Sequence, residues 1–246
     1  MQHYFTDNTL GLNETFLMSD DIAHHFISVL RSNNGDKFEI VDSNHKLFIA
    51  EVIDKDSSEA KVIEIKNNSV ELPVDVTIIC GLPKKDKSEL IVQKATELGV
   101  DHIIFLQTAW SIAQWKNNKA SKKINRLSKI VRSAAEQSHR NKIPDVKYLD
   151  SINDLLKESY DHKLIAYEES AKKGEKADLI NSLNNTKPAD SIAAFFGPEG
   201  GISPDEVSKL KANGYKTCGL GPRILRTETA PLYFLSSISM WFDLLK

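Results

Sequence analysis

Twelve residues near the C-terminal end, GLGPRILRTETA from Gly219 to Ala230, hold two arginines, a glutamate and two threonines between two apolar runs. The run that follows reads as a helix whose start is marked by Thr227 or Thr229, by Glu228 and by Pro231. A threonine there can cap the helix, and Glu228 can complement the positive end of its dipole. Neither role accounts for Arg223 and Arg226, because a cation is disfavoured at a helix N-terminus. Arginines in that position need an anion. A phosphate or carboxylate of a ligand would serve, as would Glu199 or Glu228 of the chain itself.

A second stretch, SIAAFFGPEGGISPDEV, leads an apolar strand into Gly197, Pro198, Glu199, Gly200 and Gly201 and then into a helix. Ser203 is placed to cap that helix, Pro204 suits its first position and Glu206 completes a capping box. The glycines let the backbone pass close to a ligand or take positive φ, although the same residues also suit a plain strand-to-helix turn. No Gly-Lys-Ser/Thr follows and the GxGxxG spacing is absent, which speaks against a phosphate cradle or a dinucleotide site. Backbone amides reading a neutral, adenine-like edge fit the pattern.

A third feature is a one-sign stripe. No acidic residue occurs between Asp101 and Glu136, while Lys116, Lys119, Lys122, Lys123, Arg126, Lys129 and Arg132 do, with Trp110 and Trp115 nearby. A solvated helix face normally mixes signs for i,i+4 pairing, so this stripe suggests contact with nucleic-acid phosphates. Lys84, Lys85 and Lys87 in LPKKDKSE add cations at a strand end. Other chemistry is weakly represented. His24 and His25 are adjacent on a helix and diverge by about 100°, so they form no i,i+4 metal pair. His139 stands alone in sequence, no Cys/His cluster has metal spacing, and no metal is expected. Cys80 and Cys218 each sit in an apolar run without CxxC spacing, as buried reduced thiols of a cytosolic protein would.

The elements that must position these residues fall into two groups. The 246-residue chain has a formal net charge of −2, so any anionic partner must be met by a local patch. Residues 1–72 carry 13 acidic and 6 basic residues, and the remainder 21 and 26. The first part starts with a helix in SDDIAHHFISVLR, with Ser19 as N-cap and Ile22, Phe26, Val29 and Leu30 as an apolar stripe. Three short strands follow in KFEIVD, KLFIAEVID and EAKVIEIK, which together suggest a small β-barrel. From Val74 strands and helices alternate: VDVTIICGL, KSELIVQKATELGV, HIIFLQ, a long helix over about 120–138, VKYL, SINDLLKE, KLIAYEE, SIAAFFG and KTCGL. That order predicts a mostly parallel sheet with helices on both faces, and a ligand site beyond the C-terminal strand ends. The apolar C-terminal run is shorter than a membrane span needs and is interrupted by serines and an aspartate. It reads as a buried helix.

GPEGGIS followed by LGPRILRTETA near the C-terminus resembles the SPOUT class of methyltransferases, and more narrowly the ribosomal RNA small subunit methyltransferase E family. HHFISVLRSNNGDKFEIVD, QKATELGVDHI and AAEQSHRNKIP resemble further motifs of that family. The resemblance covers nearly the whole chain. It implies an α/β fold: a PUA-like β-barrel RNA-binding domain over residues 1–72 and a trefoil-knotted, parallel-sheet methyltransferase domain over 73–246. It also implies S-adenosylmethionine as methyl donor, N3 of a uridine in 16S rRNA of the small subunit as acceptor, a homodimer, and a cytoplasmic location. Carried onto this sequence, the cofactor set is Tyr167, Glu168, Gly197, Pro198, Glu199, Gly200, Gly201, Leu220, Gly221, Ile224 and Leu225. The catalytic candidates are Glu228 as base, with Arg226 and Arg223 stabilising charge on the uracil carbonyl oxygens. RNA contact is expected from Arg31, Lys84, Lys85, Lys116, Lys119, Lys122, Lys123, Arg126, Arg132 and Arg140. Trp110 stands where an arginine is expected in the family. Methylation of another RNA position and a non-catalytic assembly role stay open at this point.

Overall fold

The computed structural model describes residues 1–115, 118–167 and 178–245. The chain divides into two compact units, one formed by Met1–Glu71 with Ala135–Lys142 and the other by Leu72–Ala134 with Ile143–Lys246.

The first unit is a five-stranded sheet in the order β1-β3-β4-β5-β2, made of β1 (His3–Phe5), β2 (Thr15–Leu17), β3 (Lys37–Val41), β4 (Leu47–Asp54) and β5 (Glu59–Lys66). The last three are the strands expected from alternation. β1 and β2 are three residues each, too short for a period of two to register. Phe38, Ile40, Phe48, Val52 and Val62 form the core with Tyr4 and Phe26. The helical segment differs from expectation. Ser19 accepts the Ile22 N–H at 3.5 Å and starts α1 (Asp20–Ala23), but His24–Val29 continues as a π-helix. The Leu30 N–H reaches back five residues to the His25 carbonyl at 3.0 Å. The wider turn breaks the 3.6-residue period. Ile22 and Phe26 stay buried, while Val29 and Leu30 are 56% and 41% exposed instead of completing the stripe.

The second unit is a six-stranded sheet in the order β11-β9-β10-β6-β7-β8, with every pairing parallel. Its strands are β6 (Asp75–Gly81), β7 (His102–Leu106), β8 (Asp145–Leu149), β9 (His162–Ala166), β10 (Ser191–Phe196) and β11 (Lys216–Cys218). Its helices are α2 (Lys87–Glu97), α3 (Asn118–Gln137), α4 (Ile152–Leu155), α5 (Asp178–Asn185), α6 (Pro204–Ala212) and α7 (Thr229–Ser239). The last three residues of α3 belong to the first unit. Side chains alternate across the strands, so two cores form. Val76, Ile78, Cys80, Phe105 and Phe234 pack on one face, and Ile79, Ile104, Ile165, Phe195 and Leu210 on the other. β6 is buried on both faces beyond Asp75, as a run with so few charges predicts. Cys80 and Cys218 are buried and in no disulfide, and burial pushes the Cys80 thiol far above its ordinary value. No helix among the described residues is long and apolar enough to cross a membrane.

At the N-terminal ends of the central strands, His102 sits between two aspartates. Its Nε2 lies 3.1 Å from Asp75, and its Nδ1 contacts Asp145 closely. Hydrogen bonding to Asp145 and then Asp75 outweighs burial and lifts the imidazole to about 10. A histidine whose affinity for its proton is higher in the folded state stabilises fully below its unfolded pKa of about 6.5. That contribution falls as pH rises from there and is gone above the folded value of about 10. We therefore expect the Tm difference between the protein and His102→Gln to be largest near pH 6 and to vanish by about pH 10.5. Thermal melts across that range check it.

Candidate active site

The C-terminal ends of the strands bring the glycine-bearing turns together. Phe196 pairs with Cys80 on one side and Ala166 on the other, so β6, β9 and β10 end level. Gly81, Tyr167 and Gly197 therefore leave the sheet side by side. The approach is close. A Cβ on Gly81 would stand 2.4 Å from Pro198 Cδ and 2.7 Å from the Pro198 backbone nitrogen. On the far side of the turn, a Cβ on Gly200 would stand 2.9 Å from the Trp110 carbonyl oxygen. Gly201, at φ +82°, donates its N–H to the Pro198 carbonyl at 2.9 Å and closes the turn.

The expected capping box forms at α6. Ser203 Oγ accepts the Glu206 N–H at 3.3 Å, and Glu206 Oε2 accepts the Ser203 N–H at 3.0 Å. The other oxygen of Glu206 accepts the Ala109 N–H at 2.8 Å. One buried carboxylate thus caps a helix and anchors the loop that carries Trp110 against the glycines.

These turns enclose a cavity of about 770 Å³. Of the residues proposed from sequence, Tyr167, Gly197, Pro198, Glu199, Gly200, Gly201, Ile224, Leu225 and Arg226 line it. Tyr167 is held in place by its N–H, which donates to the Cys218 carbonyl at 3.1 Å. Leu220 and Gly221 line a second hollow of about 330 Å³, with Tyr233 and Trp241. Arg223 is exposed and does not line the large cavity. Glu168 and Lys116 lie outside the described residues. The helix start also differs from expectation. Glu228, not a threonine, is the N-cap of α7, and no side chain caps it. Glu228 keeps helical dihedrals, and the Arg226 carbonyl instead takes the N–H groups of Thr229 and Ala230 at 2.8 and 3.0 Å.

The centre of the site is Lys87, which sequence reading grouped with the surface cations Lys84 and Lys85. Its Nζ lies 2.9 Å from Glu199 Oε1 and 2.9 Å from Glu228 Oε2. The first contact is a directed hydrogen bond, and the second is an ion pair without that geometry. The Lys84 N–H also donates to Glu199 at 3.1 Å. Its contacts with Glu199 and then Glu228 raise the Lys87 ammonium above the ordinary value. Burial pushes both carboxyls upward, but Lys87 and backbone N–H groups outweigh it and hold them below the usual range, with Arg226 helping at Glu228. Both are ionised at neutral pH. The arrangement offers apolar walls and backbone edges to a ligand, with a charged cluster at one end.

The RNA methyltransferase domain family matches residues 70–239, and the RNA methyltransferase PUA domain family matches residues 19–66. Over 255 residues, 100% of this chain and 99% of the relative, the sequence is 42% identical to ribosomal RNA small subunit methyltransferase E of Bacillus subtilis. The chain belongs to the ribosomal RNA small subunit methyltransferase E family. Its fold is accordingly the SPOUT-type α/β methyltransferase with a PUA-like N-terminal sheet. The Neisseria gonorrhoeae member, crystallised bound to S-adenosyl methionine, is similar at 29% identity and a TM-score of 0.82, covering 98% of this chain and 97% of that one. A putative methyltransferase of Legionella pneumophila, in complex with the cofactor SAM, is similar at 25% identity and a TM-score of 0.81, covering 96% of each chain.

For an enzyme of this family the cations matter next. Lys119, Lys122, Lys123, Arg126 and Arg132 are exposed on α3. Lys123 lies over the Trp115 ring at 4.9 Å, and Arg126 meets Glu89 at 2.9 Å. Lys85 and Arg31 are exposed and Lys84 is half-buried. Arg140 is a correction. It is 3% exposed, and its guanidinium grips Glu71 from Nε and Nη2 at 3.0 and 2.5 Å. Its charge is spent on a buried pair and is not presented to phosphate.

Two substitutions probe the frame. Gly81→Ala forces Pro198 backbone away from β6 and is expected to cost about 1–3 kcal/mol while enlarging or closing the cavity. Glu206→Ala leaves the Ala109 N–H without its acceptor and is expected to cost about 1–3 kcal/mol. Urea denaturation with unchanged m-value checks both.

Proposed function

We propose that this chain methylates N3 of a uridine in the 16S rRNA of the small ribosomal subunit, the position numbered uracil-1498, with S-adenosylmethionine as donor. The observation that carries the reading is the cavity of about 770 Å³ between the Gly197–Gly201 turn and the Ile224–Thr227 segment, in a chain of this family. Its volume falls within the usual range for small-molecule sites, about 300–1,000 Å³. Its walls combine apolar side chains and backbone with Lys87, Glu199 and Arg226 at one end, and the glycine turn has no phosphate-cradle signature, which suits an adenosine-bearing cofactor that carries no phosphate.

When bound, S-adenosylmethionine supplies an electrophilic methyl group on a sulfonium. Tyr167, the Gly197–Gly201 turn, Ile224 and Leu225 hold it, joined by Glu168, Leu220 and Gly221. Holding the acceptor in line is worth as much as about 7–11 kcal/mol of the barrier. Arg226 at the cavity wall offsets charge developing on the uracil carbonyl oxygens, with Arg223 beside it in sequence. Glu228, kept ionised by Lys87, receives the N3 proton. N3 lies on the Watson–Crick edge, so the uridine must be unpaired or turned out of its stack. Residues 1–72 act as the PUA-like RNA-binding domain and 73–246 as the methyltransferase domain, with the trefoil knot of its family. The exposed Tyr233 of α7 and Met240, Leu244 and Leu245 of the π-helix Met240–Leu245 that continues it, at 41%, 49%, 78% and 65%, support a homodimer through the C-terminal segment. An rRNA substrate fits a cytoplasmic location.

The deciding experiment is nucleoside mass spectrometry of 16S rRNA from cells lacking the protein, before and after complementation. Loss and return of 3-methyluridine is expected; loss of a different methylated nucleoside overturns the assignment. Arg226→Ala is expected to lower kcat about 10²–10³-fold, with S-adenosylmethionine affinity by calorimetry in the same order of magnitude. Lys87→Met removes the cation that depresses Glu228 and leaves burial, so the acid limb of the pH–kcat profile is expected to move to higher pH. Reversing the charges of Lys119, Lys122 and Arg126 is expected to flatten the salt dependence of kcat/KM, by about 0.7 in log–log slope for each RNA phosphate that is no longer neutralised.

A further inference from the structure

A cluster in the first unit plays no part in methyl transfer. β1 and β3 pair in parallel with His3 directly opposite Glu39, and the turn after α3 brings His139 to the same carboxylate. His3 Nδ1 and His139 Nδ1 lie 3.0 and 2.6 Å from the same oxygen, Glu39 Oε2. All three donor atoms fall within 4.8 Å of one another. We propose that His3 Nδ1, Glu39 Oε2 and His139 Nδ1 form a binding site for a divalent cation of the zinc class.

The argument starts from the tautomer of His3. Its Nε2 lies 2.9 Å from the Arg140 carbonyl oxygen. A carbonyl can only accept, so Nε2 carries the hydrogen. In the neutral ring that leaves Nδ1 with a lone pair aimed at a carboxylate oxygen that also has only lone pairs. Two lone pairs at 3.0 Å call for a cation between them. A second proton on His3 meets that need alone; a single divalent ion meets it while also ligating His139 and the carboxylate.

The surroundings are those of a built metal site. A ligating histidine ordinarily donates its second N–H to a carbonyl or carboxylate, which fixes ring orientation, and His3 does so while 4% exposed. The carbonyl it uses is itself anchored, because Arg140 is clamped by Glu71, which also accepts the Asn141 N–H at 2.7 Å. Two imidazoles and one carboxylate are a zinc donor set that leaves a fourth position for water. His139 opens that position to solvent, with its side chain 47% exposed. His139 sits in the left-handed region at φ +56°, a conformation rare for non-glycine residues. It ends α3, with the Arg140 N–H returning to the Ala135 carbonyl at 3.0 Å. Donors about 2.0–2.1 Å from a tetrahedral zinc stand roughly 3.3 Å apart. The Glu39 contacts must therefore open by less than an ångström while the two imidazole nitrogens, within 4.8 Å of each other, close by up to about 1.5 Å, and the exposed His139 side chain can supply the movement.

The test is calorimetric titration of the metal-stripped, full-length protein with Zn²⁺. A Co²⁺ titration, read by its visible d–d bands, runs alongside. Expected are one ion per chain, four-coordinate Co²⁺ bands, and a rise in Tm with Zn²⁺ concentration, as binding linkage requires. His139→Ala and Glu39→Gln should each weaken binding by at least about tenfold and remove the Tm rise. His139 is the decisive variant, because it is exposed and its truncation leaves the core intact; circular dichroism verifies the fold. Absence of Zn²⁺ binding, or Zn²⁺ binding of equal strength in His139→Ala, overturns the proposal.

Discussion

A single ammonium holds together two turns that are remote in sequence. Lys87 reaches Glu199 in the glycine turn and Glu228 at the start of the last helix, at 2.9 Å each. Without it two carboxylates would face each other in a partly buried pocket. Like charges so placed drive one of them to take up a proton. With it, both stay ionised, and the polar end of the cavity has a defined charge at neutral pH. The charge on Glu199 and on Glu228 follows from that bridge.

Steric fit supplies the second constraint. Gly81 and Gly200 let backbone meet backbone on either side of the GPEGG turn, with Pro198 on one flank and Trp110 on the other. Glu206 fixes that second flank by serving two elements with its two oxygens. The turn is therefore set by contacts on both sides before any ligand arrives. A turn preorganised in this way needs no rearrangement to hold a ligand in a fixed orientation.

Much of the fold was legible because its signals are local. The apolar run of β6, with Asp75 its one charge, announced a strand buried on both faces, and Ser203-Pro204-Glu206 announced the start of a helix. The helix over Asn118–Gln137 showed its 3.6-residue period. The π-helical turn at His24–Val29 was not legible, because a change from i→i+4 to i→i+5 closure leaves no mark in the pattern of residue types. β1 was missed for its length, and with it the pairing that sets His3 opposite Glu39. Arg140 was misread because a guanidinium bound for a buried carboxylate and one bound for phosphate look alike in sequence.

The sequence by itself determined the class of the protein: two glycine-bearing turns, an arginine-rich segment before an apolar helix, and alternating strands and helices. These depend on residue type and spacing within a dozen positions. Only the tertiary structure decided which charges meet. Lys87 and Glu199 are 112 residues apart, and Glu39 and His139 are 100 apart. Nothing local favours either pair. Strand register and helix packing bring them within hydrogen-bonding distance, and those are set by the burial of apolar faces across the whole chain.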